Sequence, residues 1–128
     1  WFIYQALRKK EIKLFGKGDQ KRDYLFINDL ADLMIRLIEN PELFNSEVYN
    51  VGFGRGISLY EGLMTIKKHI TDLTITMVPW PDTEGKIETG DYYSNIGAIS
   101  EKTGWQPTTT FDQGIQKTID FYKKIIDI

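Results

Sequence analysis

IKLFGKGDQKRDYLFINDLADLMIRLIEN, residues 12–40, decides how the chain is read. Ile12-Lys13-Leu14-Phe15 has the alternation of a short strand, and Gly16 and Gly18 break it into a polar turn through Gln20. Tyr24-Leu25-Phe26-Ile27 predicts a second strand, ended by Asn28-Asp29, either of which can cap a helix. In that helix Leu30, Leu33, Met34, Leu37 and Ile38 fall at i, i+3, i+4, i+7 and i+8, one apolar stripe. Arg22 lies between turn and strand, beside backbone that glycine keeps open, as a phosphate-binding corner requires.

Working outward, Phe2, Ile3, Ala6 and Leu7 are at helical spacing from the first residues, with the helix expected to end near Lys10. No initiator Met and no capping residue precede them, so the chain reads as a piece of a longer protein entered part-way through a helix. Glu47–Val51 predicts a third strand, running into Gly52, Gly54 and Gly56. Ser58 and Glu61 form an S-x-x-E capping box for a helix that buries Leu59, Leu63, Ile66 and Ile70. Thr74–Val78 alternates as a strand stopped by Pro79 and Pro81, and Asp82–Asp91 reads as a long surface loop. Asn95 is expected to cap a short helix ended by Gly104, with Trp105 as its hydrophobic contact. Thr110 and Gln113 box the start of a last helix carrying Phe111, Ile115, Ile119, Tyr122 and Ile126. The expectation is one α/β domain over residues 1–128, with short strands and about five helices.

The bulk composition narrows the function classes. At 41% hydrophobic content, 128 residues can build a core. A net charge of −2 gives no reason to expect nucleic acid or an anionic membrane as partner. The absence of cysteine excludes disulfides and thiolate metal sites and suits a cytoplasmic location. No apolar run approaches the ~20 residues that span a bilayer.

Three local signals invite stronger readings than they carry. VGFGRG (residues 51–56) lies between strand and helix, but G-x-G-x-x-G would need glycine where Ile57 stands. A strand-to-helix turn that requires glycine accounts for it. His69, the only histidine, follows Lys67 and Lys68 near a helix end, where positive charge complements the dipole. Asp19, Asp23 and Asp29 lack the D-x-D-x-D-G pattern of a calcium loop, so no metal is expected.

Four segments, in order and at plausible spacing, resemble the C-terminal substrate-binding part of the extended short-chain dehydrogenases/reductases, the NAD-dependent nucleotide-sugar epimerases and dehydratases. They are WFIYQAL, KLFGKGDQKRDYLFINDLADLM, EVYNVGFGRGISLYEGL and GDYYSNIGAISEKTGWQPTTTFDQGIQKTIDFY, which together cover nearly the whole chain. The resemblance implies a nucleoside-diphosphate-sugar site. In it Arg22 falls on the arginine that grips the diphosphate, Phe15 on the aromatic position against the base, and Asn50 on the asparagine near the phosphates. The family's R-P-G-D arginine has no counterpart in PWPDTEGKIETGD, where Lys86 is the nearest cationic candidate. The Ser and Lys that usually open the helix before Gly-Trp are also lost, at Asn95-Ile96-Gly97-Ala98.

The resemblance further implies an enzyme that uses NAD or NADP and works through a Tyr-x-x-x-Lys pair. None of the seven tyrosines has Lys four residues on, and no cofactor fingerprint is present. The expectation is therefore the substrate side of an epimerase or dehydratase whose Rossmann half lies outside this chain. By itself the chain should be inactive and bind no cofactor, and its interdomain surface should be exposed or self-associated, with Trp1, Phe2 and Tyr4 foremost. The alternatives are a non-catalytic nucleotide-sugar-binding module, and a short-chain reductase of a carbonyl substrate without a nucleotide.

Overall fold

The computed structural model describes residues 1–43 and 47–125, without the side chains of Glu84, Lys86 and Ile87. Helix α1 (Phe2–Leu7) leads to strand β1 (Ile12–Phe15), followed by β2 (Lys21–Asp23), α2 (Ile27–Glu39) and a 3-10 turn at Pro41–Leu43. Strand β3 (Gly56–Ser58), α3 (Leu59–His69), β4 (Ile75–Val78), α4 (Asp82–Ile87), α5 (Gly97–Thr103) and α6 (Phe111–Ile125) complete the order. β1 and β4 pair in parallel, with Phe15 opposite Val78, and β2 and β3 pair antiparallel, with Arg22 opposite Ile57. This is the α/β architecture of short strands and helices that the sequence leads one to expect.

Two apolar clusters hold it. Ala6, Ile12, Leu14, Leu63, Ile66 and Leu73 form the larger, packed by Phe2, Leu59 and Ile115. Leu33, Ile99 and Trp105 form the second, with Leu25, Leu37, Tyr49 and Val51 around them. Buried Asp29 links the second cluster to the chain before α6. Its carboxyl accepts from the Thr109 N–H and both threonine hydroxyls at 108 and 109, and its carbonyl accepts from the Trp105 indole.

Both capping boxes are present. The Ser58 hydroxyl accepts from the Glu61 N–H while the Glu61 carboxyl accepts from the Ser58 N–H, and Thr110 and Gln113 do the same for α6. Gly104 ends α5 at φ +66°; at its start Ile96, and not Asn95, holds the cap position, and the Asn95 side chain accepts from the Gly97 N–H one residue further out.

Five further expectations need correction. α1 stops at Leu7, where Lys9 turns left-handed at φ +52°, short of Lys10. The second strand is Lys21–Asp23 and not Tyr24–Ile27, because the apolar run is drawn into packing. The Tyr24 ring lies 5.2 Å from that of Phe111, Leu25 joins the second cluster, and Phe26 faces Gly114. Neither Asn28 nor Asp29 is the cap of α2. Extended Phe26 occupies that position, and Asp29 is spent on residues 108 and 109. No strand forms at Glu47–Val51; pairing begins only at Gly56, because side chains rather than a ladder hold the chain before it. The loop expected over Asp82–Asp91 opens with α4, whose first turn is closed by the Gly85 N–H on the Pro81 carbonyl.

The stripe on α2 is only half used. Leu33 is buried, whereas Met34 and Ile38 are 53% and 76% exposed, and Ile27, in the first turn of the helix, is 65% exposed. This face is broader than the one expected at α1, where Trp1 is open but Phe2 packs on the core and Tyr4 lies edge-on to Tyr122. Among the described residues no helix is long and apolar enough to cross a membrane.

Candidate active-site corner around Arg22

Strand β2 is three residues long, yet it organises the corner. Successive side chains in a strand leave opposite faces. Asp23 turns toward the glycine-rich turn, and its carboxyl accepts from the N–H groups of Phe53 (2.8 Å), Gly54 (3.3 Å) and Ser94 (2.9 Å). The fit excludes a side chain at position 52. A Cβ there would sit 2.2 Å from the Asp23 carboxyl and 2.8 Å from the Ser94 hydroxyl. The glycines of VGFGRG thus close on Asp23, Ser94 and, at Gly56, the Tyr93 ring, a packing role and not a dinucleotide cradle.

Residues 88–94 run along the free edge of β2. The Asp91 carboxyl accepts from the Lys21 N–H at 2.8 Å, and the Tyr92 N–H donates to the Lys21 carbonyl at 3.1 Å. Arg22 points into this strap. One terminal nitrogen donates to the carbonyls of Lys21 (2.8 Å) and Gly90 (2.6 Å), and the other to the Glu88 carboxyl at 2.6 Å. Its acidic neighbours Asp19 and Asp23 are not its partners; Glu88 is. The pair is partly open to solvent, with side chains 33% and 24% exposed. The Arg22 hydrogen bond holds the Glu88 carboxyl below the usual range, helped by the Gly90 N–H. Half-buried Tyr24 goes the other way: burial raises its phenol, against the pull of Arg22, so it stays protonated at neutral pH.

The remaining candidates are distributed around this corner. Asn50 is exposed, two residues before the glycine that touches Asp23. Phe15 lies at the end of β1 in the other sheet, its ring 5.5 Å from that of Trp80. Trp80 had no part in the sequence reading, although the Pro-Trp-Pro stretch after a strand marks it as an aromatic held in an extended segment. The turn of Gly16–Gln20 connects Phe15 to Arg22 and is tied to α3, the Tyr60 and Leu59 N–H groups donating to the carbonyls of Gly18 and Gln20. Lys86 is on α4, two residues before Glu88, and its side chain lies outside the described residues. His69 ends α3 and meets the Asp112 carboxyl at 2.9 Å beside Lys68, a tie between helices. No group of metal-ligating side chains occurs among the described residues.

The fold is that of a portion of the extended short-chain dehydrogenases/reductases. Residues 1–52 match the model of the NAD dependent epimerase/dehydratase family. The dTDP-glucose 4,6-dehydratase of Salmonella typhimurium is 31% identical over 129 residues, which cover 94% of this chain and 34% of that protein. A dTDP-glucose 4,6-dehydratase of Escherichia coli K12 is 30% identical with the same coverage. The structure of dTDP-glucose 4,6-dehydratase from Bacillus anthracis in complex with NAD superposes at TM-score 0.77 and 26% identity, covering 96% of this chain and 37% of that one. For the fold alone, UDP-glucose 4-epimerase of Thermotoga maritima with UDP-glucose matches at TM-score 0.81 and 24% identity, over 97% of this chain and 38% of the other. The chain spans about a third of the length of the curated relatives it matches.

Proposed function

We propose that this chain is the substrate side of an NAD(P)-dependent nucleoside-diphosphate-sugar epimerase or dehydratase, with Arg22 as its main diphosphate contact. The observation that carries the reading is the position of Arg22. It sits on a strand whose neighbours are anchored by Asp23 and Asp91 independently of the arginine itself, which leaves the guanidinium as the adjustable group. A planar guanidinium can meet two phosphate oxygens at once, which a lysine ammonium cannot. Asn50 and Lys86 are proposed as lesser polar contacts, and Phe15, with Trp80 beside it, as the aromatic wall for the base.

These contacts are remote from the sugar carbons that react, so their binding energy serves positioning. Nicotinamide, where bound, takes and returns a hydride; no residue of this chain is assigned a part in that transfer. The uncovered side of α2 is read as the face that the rest of a longer enzyme packs against. The direct test is Arg22→Ala in the full-length protein, with UDP, dTDP, GDP and CDP as titrants. Affinity for the preferred nucleotide should drop about ten- to a hundredfold, the equivalent of one or two hydrogen bonds to a charged group. Arg22→Lys should recover part of that loss. Unchanged affinity in a folded Arg22→Ala protein would remove the centre of the assignment.

A further inference from the structure

Glu88 already occupies the guanidinium that a phosphate would need. We propose that Glu88 is a built-in competitor for the Arg22 anion site, so that only a ligand more strongly anionic than a carboxylate displaces it, and that this sets the site's affinity and selectivity. The proposal rests on the reading of Arg22 as a phosphate contact and adds the residue that opposes it.

The geometry separates what must move from what can stay. The Glu88 carboxyl accepts from the Arg22 nitrogen at 2.6 Å and from the Gly90 N–H at 3.0 Å, with the Thr89 backbone also beside it. The strap beyond it is fixed through other atoms. Asp91 and Tyr92 bond the backbone of Lys21, and the Ser94 N–H bonds Asp23. Breaking the Arg22–Glu88 pair therefore leaves those ties in place and frees residues 88–90. Gly90 is suited to absorb the change. It stands at φ +81° with open space where a Cβ would be, and its carbonyl is the third acceptor of the Arg22 fork.

Charge then dictates the order of ligands. A diphosphate presents more negative charge and more acceptor oxygens than one carboxylate, so it wins the exchange for the guanidinium. If Glu88 did not move, it would stand beside the incoming anion and repel it at short range. A sugar carboxylate or another monoanion offers Arg22 no more than Glu88 does, and gains nothing by exchanging. The same residue thus lowers affinity for the right ligand and suppresses binding of weaker anions, a repulsive element of the kind specificity needs.

The test is a double-mutant cycle in the full-length protein, with inorganic pyrophosphate and the best-bound of UDP, dTDP, GDP and CDP as probes and acetate as the monoanion. Glu88→Gln keeps the shape and removes the charge; Glu88→Ala, with melting curves to confirm folding, is the second variant. Both should tighten pyrophosphate and nucleotide binding about two- to fivefold, the most that a partly exposed ion pair can withhold, and make acetate a measurable competitor. Neither should have any effect once Arg22 is Ala. If Arg22→Ala weakens the nucleotide and neither Glu88 variant tightens it, the competitor role is wrong and the phosphate site stands. If the Glu88 variants weaken binding, Glu88 is a ligand contact and the proposal is overturned. If Arg22→Ala itself changes nothing, the site reading beneath it falls as well.

Discussion

Removing the Asp23 carboxyl should damage the corner more than removing Arg22, although Arg22 carries the proposed chemistry. Asp23→Ala leaves the N–H groups of Phe53, Gly54 and Ser94 without their acceptor. The first and last are partly buried, and a buried donor left unpaired costs about 1–3 kcal/mol, whereas the exposed Gly54 N–H can turn to water at little cost. The expected loss is about 2–4 kcal/mol. Denaturant unfolding of the full-length protein should show it as a lower midpoint at an unchanged slope. Asp23→Asn should recover less than half, because one acceptor oxygen remains and the amide N–H₂ faces donors. Arg22→Ala, by comparison, removes a partly exposed ion pair worth about 0–1 kcal/mol and should scarcely move the midpoint. Nucleotide affinity should fall in both variants, in one through lost scaffold and in the other through lost contact. A difference under about 0.5 kcal/mol between Asp23→Ala and wild type would refute the view that this carboxyl holds the turn and the strap on β2.

Two further outcomes are expected. Gly52→Ala should cost about 2 kcal/mol or more, because its methyl would overlap the Asp23 carboxyl at 2.2 Å; an unchanged denaturation midpoint would show that the turn has room to shift. The Asp112 carboxyl is held below its ordinary value of 3.8, first by its hydrogen bond with His69 and then by Lys68. Its folded-state pKa is thus lower than its unfolded one, so its stabilisation is complete above that ordinary value and fades as pH falls through the folded pKa. Asp112→Asn should therefore unfold at lower denaturant than wild type at pH 6, with the gap narrowing in acid below about pH 4; a gap independent of pH between 6 and 2 would refute this.

The elements legible in the sequence are those whose causes are local. Ser58 with Glu61, Thr110 with Gln113, and Gly104 before Trp105 are three- or four-residue devices, and each does in the structure what its spacing predicts. Strand β1 was legible because its alternation coincides with real burial, Ile12 and Leu14 being enclosed. β2 and β3 were not. Each has three residues, and KRD carries no apolar signal, because this ladder is fixed by contacts distant in sequence. Likewise Arg22 was legible as a candidate, but its partner lies 66 residues away, and no local pattern favours Glu88 over the nearer Asp19 or Asp23. Trp80 was missed for the same reason: it meets Phe15 only because β4 lies beside β1.

That two neighbouring residues divide the work follows from the pleat. Residues 22 and 23 leave β2 on opposite faces, so one three-residue strand can give an anchor to the turn of Gly52–Gly54 and an arginine to the strap at 88–90. The register makes this division strict. Lys21 stands opposite Ser58, Arg22 opposite Ile57 and Asp23 opposite Gly56. A slip of one residue would exchange the faces, sending the arginine toward the glycine turn and the carboxyl toward Glu88. Several contacts oppose such a slip. Ser58 is committed to the cap of α3, Gly56 has Tyr93 and Lys21 against it too closely for a Cβ, and the backbone of Lys21 is bonded to Asp91 and Tyr92. The scaffold of the corner is thus assembled from backbone groups and the carboxyls of Asp23 and Asp91, none of which involves the Arg22 side chain. For that reason a guanidinium can change partners, from Glu88 to a phosphate, while the strand that presents it stays in place.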